Sequence, residues 1–293
     1  MTILPYYPGC IPYSRTTGLN LPIKAIAKSL NIDLVEIPGI CCGAFFTTNP
    51  ADMYGSVRTL LDAKKVGNEL MTTCALCYNV LKQTNSTMAK DAKKREQITA
   101  FLGEEYRGEV KVLHFLEYLR DKISFNKLTE FVKVNLEGLK IAPYYGCLLL
   151  RPYGEIKLDN PENPTIFEEF LISLGCEPVD FPNKMECCGS YLAAVSFDSV
   201  VEHSYSIINS AFTEGAEAIS VVCPLCHFNL DQMQEKVKLK YGEFGDVPII
   251  YFTQILAIAL GIKDTPLGFD QHFVNPIPWL AKKLGYSSVS RVM

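Results

Sequence analysis

Cysteines are the residues of this sequence whose number and spacing could carry chemistry. The chain has 293 residues and 11 cysteines. Ten of them form two sets with the same order: a single cysteine, an adjacent pair and a Cys-x-x-Cys pair. The sets are Cys10, Cys41, Cys42, Cys74 and Cys77, and then Cys147, Cys187, Cys188, Cys223 and Cys226. The repeated order of five cysteines indicates an internal duplication.

The residues around the cysteines repeat as well. Gly43 follows the first adjacent pair, and Gly189 follows the second. Each single cysteine follows a glycine, and a leucine precedes the last cysteine of both Cys-x-x-Cys pairs. The eleventh cysteine, Cys176, aligns with Ile32 of the first half, so we interpret it as a small buried apolar residue rather than a ligand.

The apolar pattern around these cysteines alternates short strands with helices. Strand-like runs are 2–7, 33–37, 70–73 and 110–114, then 140–145, 178–181, 218–222 and 248–252. Helical patterns are 21–30, 51–68 and 75–101, then 165–174, 190–214 and 225–241. This alternation predicts an α/β fold with two pseudo-symmetric cysteine-rich halves, each with a small, mostly parallel sheet and flanking helices. We expect a first domain at 1–130, a second at 131–262, a helical connector near 126–139 and a C-terminal extension at 263–293.

Composition narrows the classes of protein. Apolar residues make up 48% of the chain and charged residues 20%, as in an ordinary globular protein. A net charge of -4 argues against a nucleic-acid-binding protein. No apolar run is long enough to span a bilayer, and the first residues lack the basic region of a signal peptide. We therefore expect a cytoplasmic protein without direct membrane insertion, in a reducing compartment where clustered cysteines bind metals or carry out redox chemistry.

Three kinds of site would use cysteines in this pattern. Structural zinc takes four ligands, which is one fewer than each set offers. Dithiol–disulfide chemistry at the Cys-x-x-Cys pairs would leave six repeated cysteines without a role. Iron–sulfur clusters normally have thiolate ligands, and five thiolates around one centre favour a larger or opened cluster. Ligands at the carboxyl ends of parallel strands can converge on one crevice.

Four further side chains are candidates for roles near the cysteines. His227 directly follows Cys226 and could donate a proton or form a hydrogen bond with cluster sulfur, and His272 is a weaker candidate. Arg15 and Arg151 each follow the first cysteine of a set closely. Each could bind an anionic group of a substrate, neutralise a negative cluster or form a surface salt bridge.

The duplicated frame resembles the cysteine-rich (CCG) domains of the heterodisulfide reductase B subunit. Residues 146–152, Gly-Cys-Leu-Leu-Leu-Arg-Pro, resemble that family's Gly-Cys-His-Leu-Leu-Arg-Pro segment. Residues 223–231 and 267–273 resemble its Cys-Pro-x-Cys-His-x-x-x-Asp and Leu-Gly-x-x-x-His segments. The resemblance covers nearly the whole chain. Leu148 stands where the family usually has histidine, and the first-half intervals are slightly short of the commonest spacing.

The resemblance implies two noncubane [4Fe-4S] clusters, each held by one set of five cysteines. It also implies that the chain is the catalytic polypeptide of a soluble heterodisulfide reductase. In that family the mixed disulfide of coenzyme M and coenzyme B is cleaved between the two clusters, which is a reaction of methanogenesis. With Leu148 in place of histidine, any proton or charge role of that side chain is missing.

The source of electrons must lie outside this chain. The sequence has neither a dinucleotide-binding glycine motif nor a P-loop, so no nucleotide or flavin site is indicated. The resemblance points to an iron–sulfur partner like the family's C subunit, which would receive its electrons from a flavoprotein like the A subunit. Two alternatives remain: an electron-relay CCG protein in a complex that oxidises organic acids, and a zinc-stabilised assembly protein.

Overall fold

Two parallel sheets form the framework of the protein. A computed structural model describes residues 3–9, 17–38, 41–43, 46–242 and 245–285. The first sheet contains β1 (Leu4–Tyr6), β2 (Leu34–Glu36), β3 (Glu69–Thr72) and β4 (Lys111–His114) in the order β2-β1-β3-β4. The second contains β5 (Lys140–Tyr144), β6 (Glu177–Pro178), β7 (Ala218–Val221) and β8 (Ile249–Tyr251) in the order β6-β5-β7-β8. The identical strand order confirms the predicted duplicated α/β fold.

Helices connect and cover the strands. In the first half they are α1 (Ile23–Ser29), α2 (Pro50–Val66), α3 (Ala75–Lys90), α4 (Ala92–Leu102), α5 (Phe115–Tyr118) and α6 (Phe125–Leu128). In the second half they are α7 (Tyr153–Ile156), α8 (Ile166–Ser173), α9 (Phe197–Thr213), α10 (Pro224–Gln232), α11 (Gln234–Tyr241), α12 (Phe252–Ala259) and α13 (Ile277–Leu284). No helix in these described ranges is long and apolar enough to cross a membrane.

Several predicted helices are interrupted in the structure. The helix expected over 75–101 is divided at Asp91, whose extended backbone and side chain cap the N-terminus of α4 by accepting from Lys94 N. The helix expected over 190–214 begins as a 3₁₀ segment, Ser190–Ala194, and restarts at Ser196, which caps α9. The connector expected to be helical is so only as far as Phe131, because an extended residue, Val132, ends it.

The two halves share one hydrophobic core. Phe115 at the start of α5 and Phe252 at the start of α12 are fully buried, with ring centroids 6.2 Å apart. These helices follow the last strand of their respective sheets, so equivalent positions of the two halves meet here. A backbone hydrogen bond of 2.9 Å from Ala75 N to Val222 O also joins the halves, between the two Cys-x-x-Cys regions.

The C-terminal segment attaches to both halves. The buried carboxylate of Asp231 in α10 accepts hydrogen bonds from Phe273 N at 2.7 Å and Val274 N at 3.0 Å. The Thr17 hydroxyl of the first half donates to Gln271 Oε1 at 2.8 Å. Further along, the partly buried Trp279 packs on the core. The extension therefore contacts both the second-half Cys-x-x-Cys helix and Thr17 of the first half.

Candidate metal centre

Strand ends and helix starts position the cysteines. Cys74 comes two residues after β3 and is the N-cap of α3, and Cys223 comes two residues after β7 and is the N-cap of α10. Free N–H groups at a helix N-terminus favour thiolate over thiol, so this placement suits a ligand. Cys10 and Arg15 lie outside the described residues, so the first set is described by its other four cysteines.

Glycines let the backbone approach the sulfurs. Gly9 and Gly146 precede the single cysteines, and both have positive φ values, +75° and +63°. A Cβ at Gly9 would lie 3.0 Å from Cys77 Sγ, and one at Gly146 would lie 3.3 Å from Cys226 Sγ. A side chain at either position would therefore crowd the second cysteine of the Cys-x-x-Cys pair, besides straining the backbone.

The glycine after each adjacent pair of cysteines donates a hydrogen bond to the first cysteine of that pair. Gly43 N donates to Cys41 Sγ at 3.5 Å, and Gly189 N donates to Cys187 Sγ at 3.4 Å. Hydrogen bonds from backbone N–H groups stabilise a thiolate. The Cys-Cys-Gly repeat thus has the same geometry in both halves.

The sulfurs of each half contact one another. In the first half, Cys42 Sγ lies 3.5 Å from Cys77 Sγ, and Cys77 is also hydrogen-bonded to Cys74. In the second half, interactions between neighbouring thiols are the leading causes that shift the pKa values of Cys147, Cys187, Cys188, Cys223 and Cys226. These five cysteines, and Cys42, Cys74 and Cys77 of the first half, therefore come together from distant parts of the sequence.

The two clusters meet at one pair of thiols. Cys74 of the first half lies beside Cys223 of the second, because Ala75 N donates to Val222 O between them, and the interaction between the two thiols is the largest cause that raises the pKa of Cys74. Both residues are almost fully buried, at 2% and 5% exposure. The two sets thus lie side by side where the two halves meet.

Crowding and burial oppose ionisation of most of these thiols. The hydrogen bond with Cys223 is the largest cause that raises the pKa of Cys74, and the bond with Cys188 does the same for the pKa of Cys226. Burial adds to both effects. A buried set of sulfurs with raised pKa values can be ionised throughout only if positive charge lies among them, which bound metal ions supply.

The donor set fits a thiolate-bound metal centre. No disulfide links the cysteines that the structure describes. Soft thiolate ligands select zinc, copper(I) or iron–sulfur clusters. Cys176 lies in the hydrophobic core, where burial alone raises its pKa to about 12, as expected for a packing residue.

His227 is buried beside the second set. Its ring stacks on Tyr251 with centroids 4.3 Å apart and an interplanar angle of 15°. Its Nε2 lies 3.3 Å from His272 Nδ1, so the two predicted histidines are neighbours. Burial lowers the pKa of both rings, to about 4 for His272. They are neutral at physiological pH.

Arg151 has its side chain at the surface. Nη2 lies 3.6 Å from Glu162 Oε1, and the two side chains are 48% and 81% exposed. The main chain at this point is held from the other half, because Asn79 Nδ2 donates to Leu148 O at 2.7 Å and to Arg151 O at 2.6 Å. Of the roles considered for the Arg151 guanidinium, the structure shows the surface salt bridge.

Two buried residues lie at equivalent strand ends near the centre; sequence reasoning predicts a structural role for His114 and overlooks Tyr251. His114 ends β4 and Tyr251 ends β8, and both directly precede a phenylalanine that begins a helix. Each donates its backbone N–H to the side chain three residues later. His114 N donates to Glu117 Oε2 at 3.4 Å, and Tyr251 N donates to Gln254 Oε1 at 2.9 Å. The repeat of His-Phe-Leu-Glu by Tyr-Phe-Thr-Gln was the sequence signal that could have identified this pair.

A cysteine-rich domain family, abbreviated CCG, matches the chain twice, at residues 4–82 and 141–231. The B subunit of a ferredoxin/F(420)H(2)-dependent CoB–CoM heterodisulfide reductase from Methanosarcina acetivorans is 31% identical over 296 residues, covering 96% of this chain and 97% of that protein. The membrane anchor subunit of an 8-methylmenaquinol:fumarate reductase from Wolinella succinogenes is 31% identical over 287 residues, covering 96% and 98%.

A solved structure has a similar fold. A hypothetical protein from Helicobacter pylori superimposes with a TM-score of 0.73 at 13% identity. The match covers 94% of this chain and 52% of that one, so the chain spans about half the length of the solved protein. At this identity the likeness supports the fold alone.

Proposed function

The chain belongs to the family of duplicated CCG cysteine-rich proteins that includes the B subunit of heterodisulfide reductases, and from this premise we propose that it reduces a disulfide within a complex of several polypeptides. In general terms, the chain is a CCG iron–sulfur subunit of an oxidoreductase. Each set of five cysteines would hold one noncubane [4Fe-4S] cluster. Cys10, outside the described residues, would complete the first set.

The observation that carries the proposal is the contact between Cys74 and Cys223. It would bring the two proposed centres together at the point where the halves of the duplication meet. When bound, the clusters would supply single electrons. A disulfide takes up two electrons and two protons as its S–S bond breaks and two thiols form, so two adjacent one-electron centres match the electron count.

The surrounding side chains would hold the substrate and the ligands. We propose that Arg15 and Arg151 bind anionic groups of the disulfide, for which Arg151 would exchange its exposed partner Glu162. His227, which is packed between Tyr251 and His272 and next to Cys226, would donate a proton or form a hydrogen bond with cluster sulfur. Leu148 in place of the family histidine leaves the natural disulfide open: the coenzyme M–coenzyme B pair or a related compound.

Electrons would come from partner proteins. The proposed partners are an iron–sulfur protein like the family's C subunit and a flavoprotein like its A subunit, in a cytoplasmic complex. The proposal thus separates the supply of electrons from the disulfide site, which is built from this chain alone.

Metal analysis and turnover test the proposal. Anaerobically purified protein should contain iron and acid-labile sulfide and give EPR signals from two centres. With a reduced viologen dye it should cleave a coenzyme M–coenzyme B disulfide or a related one, and Arg151→Ala should raise KM for an anionic disulfide more than for a neutral one. Zinc in place of iron would refute the proposal and favour the zinc-stabilised assembly protein.

The second candidate is an electron relay in another oxidoreductase, such as a complex that oxidises organic acids. The 31% identity to the membrane anchor of a fumarate reductase favours it. Both candidates predict iron, but a relay would exchange electrons with dyes and leave every disulfide intact. The turnover arm of the same experiment therefore separates them.

A further inference from the structure

The hydroxyl group of Tyr251 is buried without a partner. The residue is 1% exposed, and its oxygen forms no hydrogen bond with any residue in the described part of the chain. A buried polar group left unpaired costs about 1–3 kcal/mol, so such groups usually have a partner. An unpaired donor next to a proposed cofactor site indicates that the partner belongs to the cofactor.

Strand register places Tyr251 beside the second set. Tyr251 on β8 is paired with Val221 on β7, and Cys223 follows two residues later. The ring stacks on His227, the neighbour of Cys226. Burial is the chief cause that raises the pKa of the phenol, and the charges of Cys223, Cys74, Asp231 and Cys226 raise it further.

The equivalent residue of the first half has no spare donor. His114 on β4 is paired with Thr72 on β3, two residues before Cys74. Its Nε2 bonds with Thr73 O at 3.0 Å, and its Nδ1 accepts from Leu116 N at 3.2 Å. Both ring nitrogens are thus used within the polypeptide, whereas the phenolic O–H of the second half is not.

We propose that the Tyr251 hydroxyl donates a hydrogen bond to a sulfur of the iron–sulfur centre at Cys223 and raises the reduction potential of that centre above that of the first. The proposal rests on the proposed cofactor. Hydrogen bonds to cluster or ligand sulfur stabilise the more negative, reduced state and are a principal determinant of potential. Tyr251 thus makes two otherwise equivalent centres unequal.

Tyr251→Phe tests the proposal by removing only the hydroxyl. EPR-monitored redox titration of the anaerobically purified complex should show one midpoint potential shifted lower and the other unchanged, with iron content as in the wild type. Pulsed EPR after exchange into D₂O should show the loss of one exchangeable proton coupled to the shifted centre. Unchanged midpoints with full iron content would overturn this inference, whereas a wild-type protein without iron would overturn the proposed function.

A matched control is available in the same half. Tyr144 also lies near the second set, but its hydroxyl donates to Glu186 O at 2.6 Å. Tyr144→Phe should leave both midpoints in place, and an equal shift in this variant would contradict a specific role of Tyr251.

A second variant guards against loss of the fold in Tyr251→Phe. Replacement of Tyr251 by 3-fluorotyrosine keeps the hydroxyl and nearly the same size, and it makes the phenol a stronger donor. The midpoint of the same centre should then shift higher. A lower or unchanged midpoint would overturn the proposal.

Discussion

The two halves of the protein have the same backbone plan but differ at the residue that ends the last strand of each sheet. His114 in the first half bonds to the polypeptide through both ring nitrogens, whereas Tyr251 in the second half keeps a buried hydroxyl unpaired within the described residues. The duplication therefore preserved the cysteines and diverged in the groups around them. Equivalent sets of cysteines need not give equivalent centres.

The halves also differ in how an asparagine holds the cysteine loops. Asn79 of α3 reaches into the other half and binds the backbone after Cys147. Asn229 of α10 stays within its own half, where Nδ2 donates to Cys188 O at 3.0 Å. One half thus positions a ligand loop of the other, and the two sites depend on each other.

The largest expected effect follows from removing a junction thiol. Cys74→Ser and Cys223→Ser should each abolish the EPR signal of one centre and alter that of the other, because the two thiols are in contact. Iron analysis of purified protein measures the loss. Cys176→Ser is the control and should keep full iron content. Independent behaviour of the two centres would break the proposed coupling of the halves.

A smaller effect is expected from the two asparagines. Asn79→Ala removes two hydrogen bonds between the halves and should lower the free energy of unfolding by about 2–3 kcal/mol, against about 1 kcal/mol for Asn229→Ala. Urea unfolding under anaerobic conditions measures both. The exposed Asn126→Ala is a suitable control and should have little effect. A larger loss in Asn229→Ala would reverse the comparison.

The smallest expected effect is the contribution of His114 to the pH dependence of the free energy of unfolding. Burial lowers the pKa of His114 from 6.5 to about 3. The unfolded chain then takes up a proton as the pH falls below 6.5 while the folded chain does not, so stability is lost on acidification. Between pH 7.5 and 5.5 this loss is about 1–1.5 kcal/mol. Unfolding of His114→Gln should lack that increment, and an identical pH dependence in variant and wild type would contradict the assignment.

Local sequence determined the elements that position the cysteines. Alternating apolar runs predicted each of the eight strands in the described part of the chain, because burial of a strand face leaves a periodic signature. The errors occurred at breaks such as Asp91 and Ser196, where a single capping side chain ends one helix and begins another. A capping interaction depends on one residue, so it leaves little trace in a pattern read over many positions.

The sequence by itself determined that ten cysteines form two equivalent sets on an α/β duplication, since repeated spacing survives in the order of residues. Only the tertiary structure decided that Cys74 and Cys223 meet, that Arg151 points to the surface and that the Tyr251 hydroxyl lacks a partner among the described residues. These facts depend on how the halves pack against each other. Residues far apart in the chain are brought together by the shared core, and no local pattern encodes that distance.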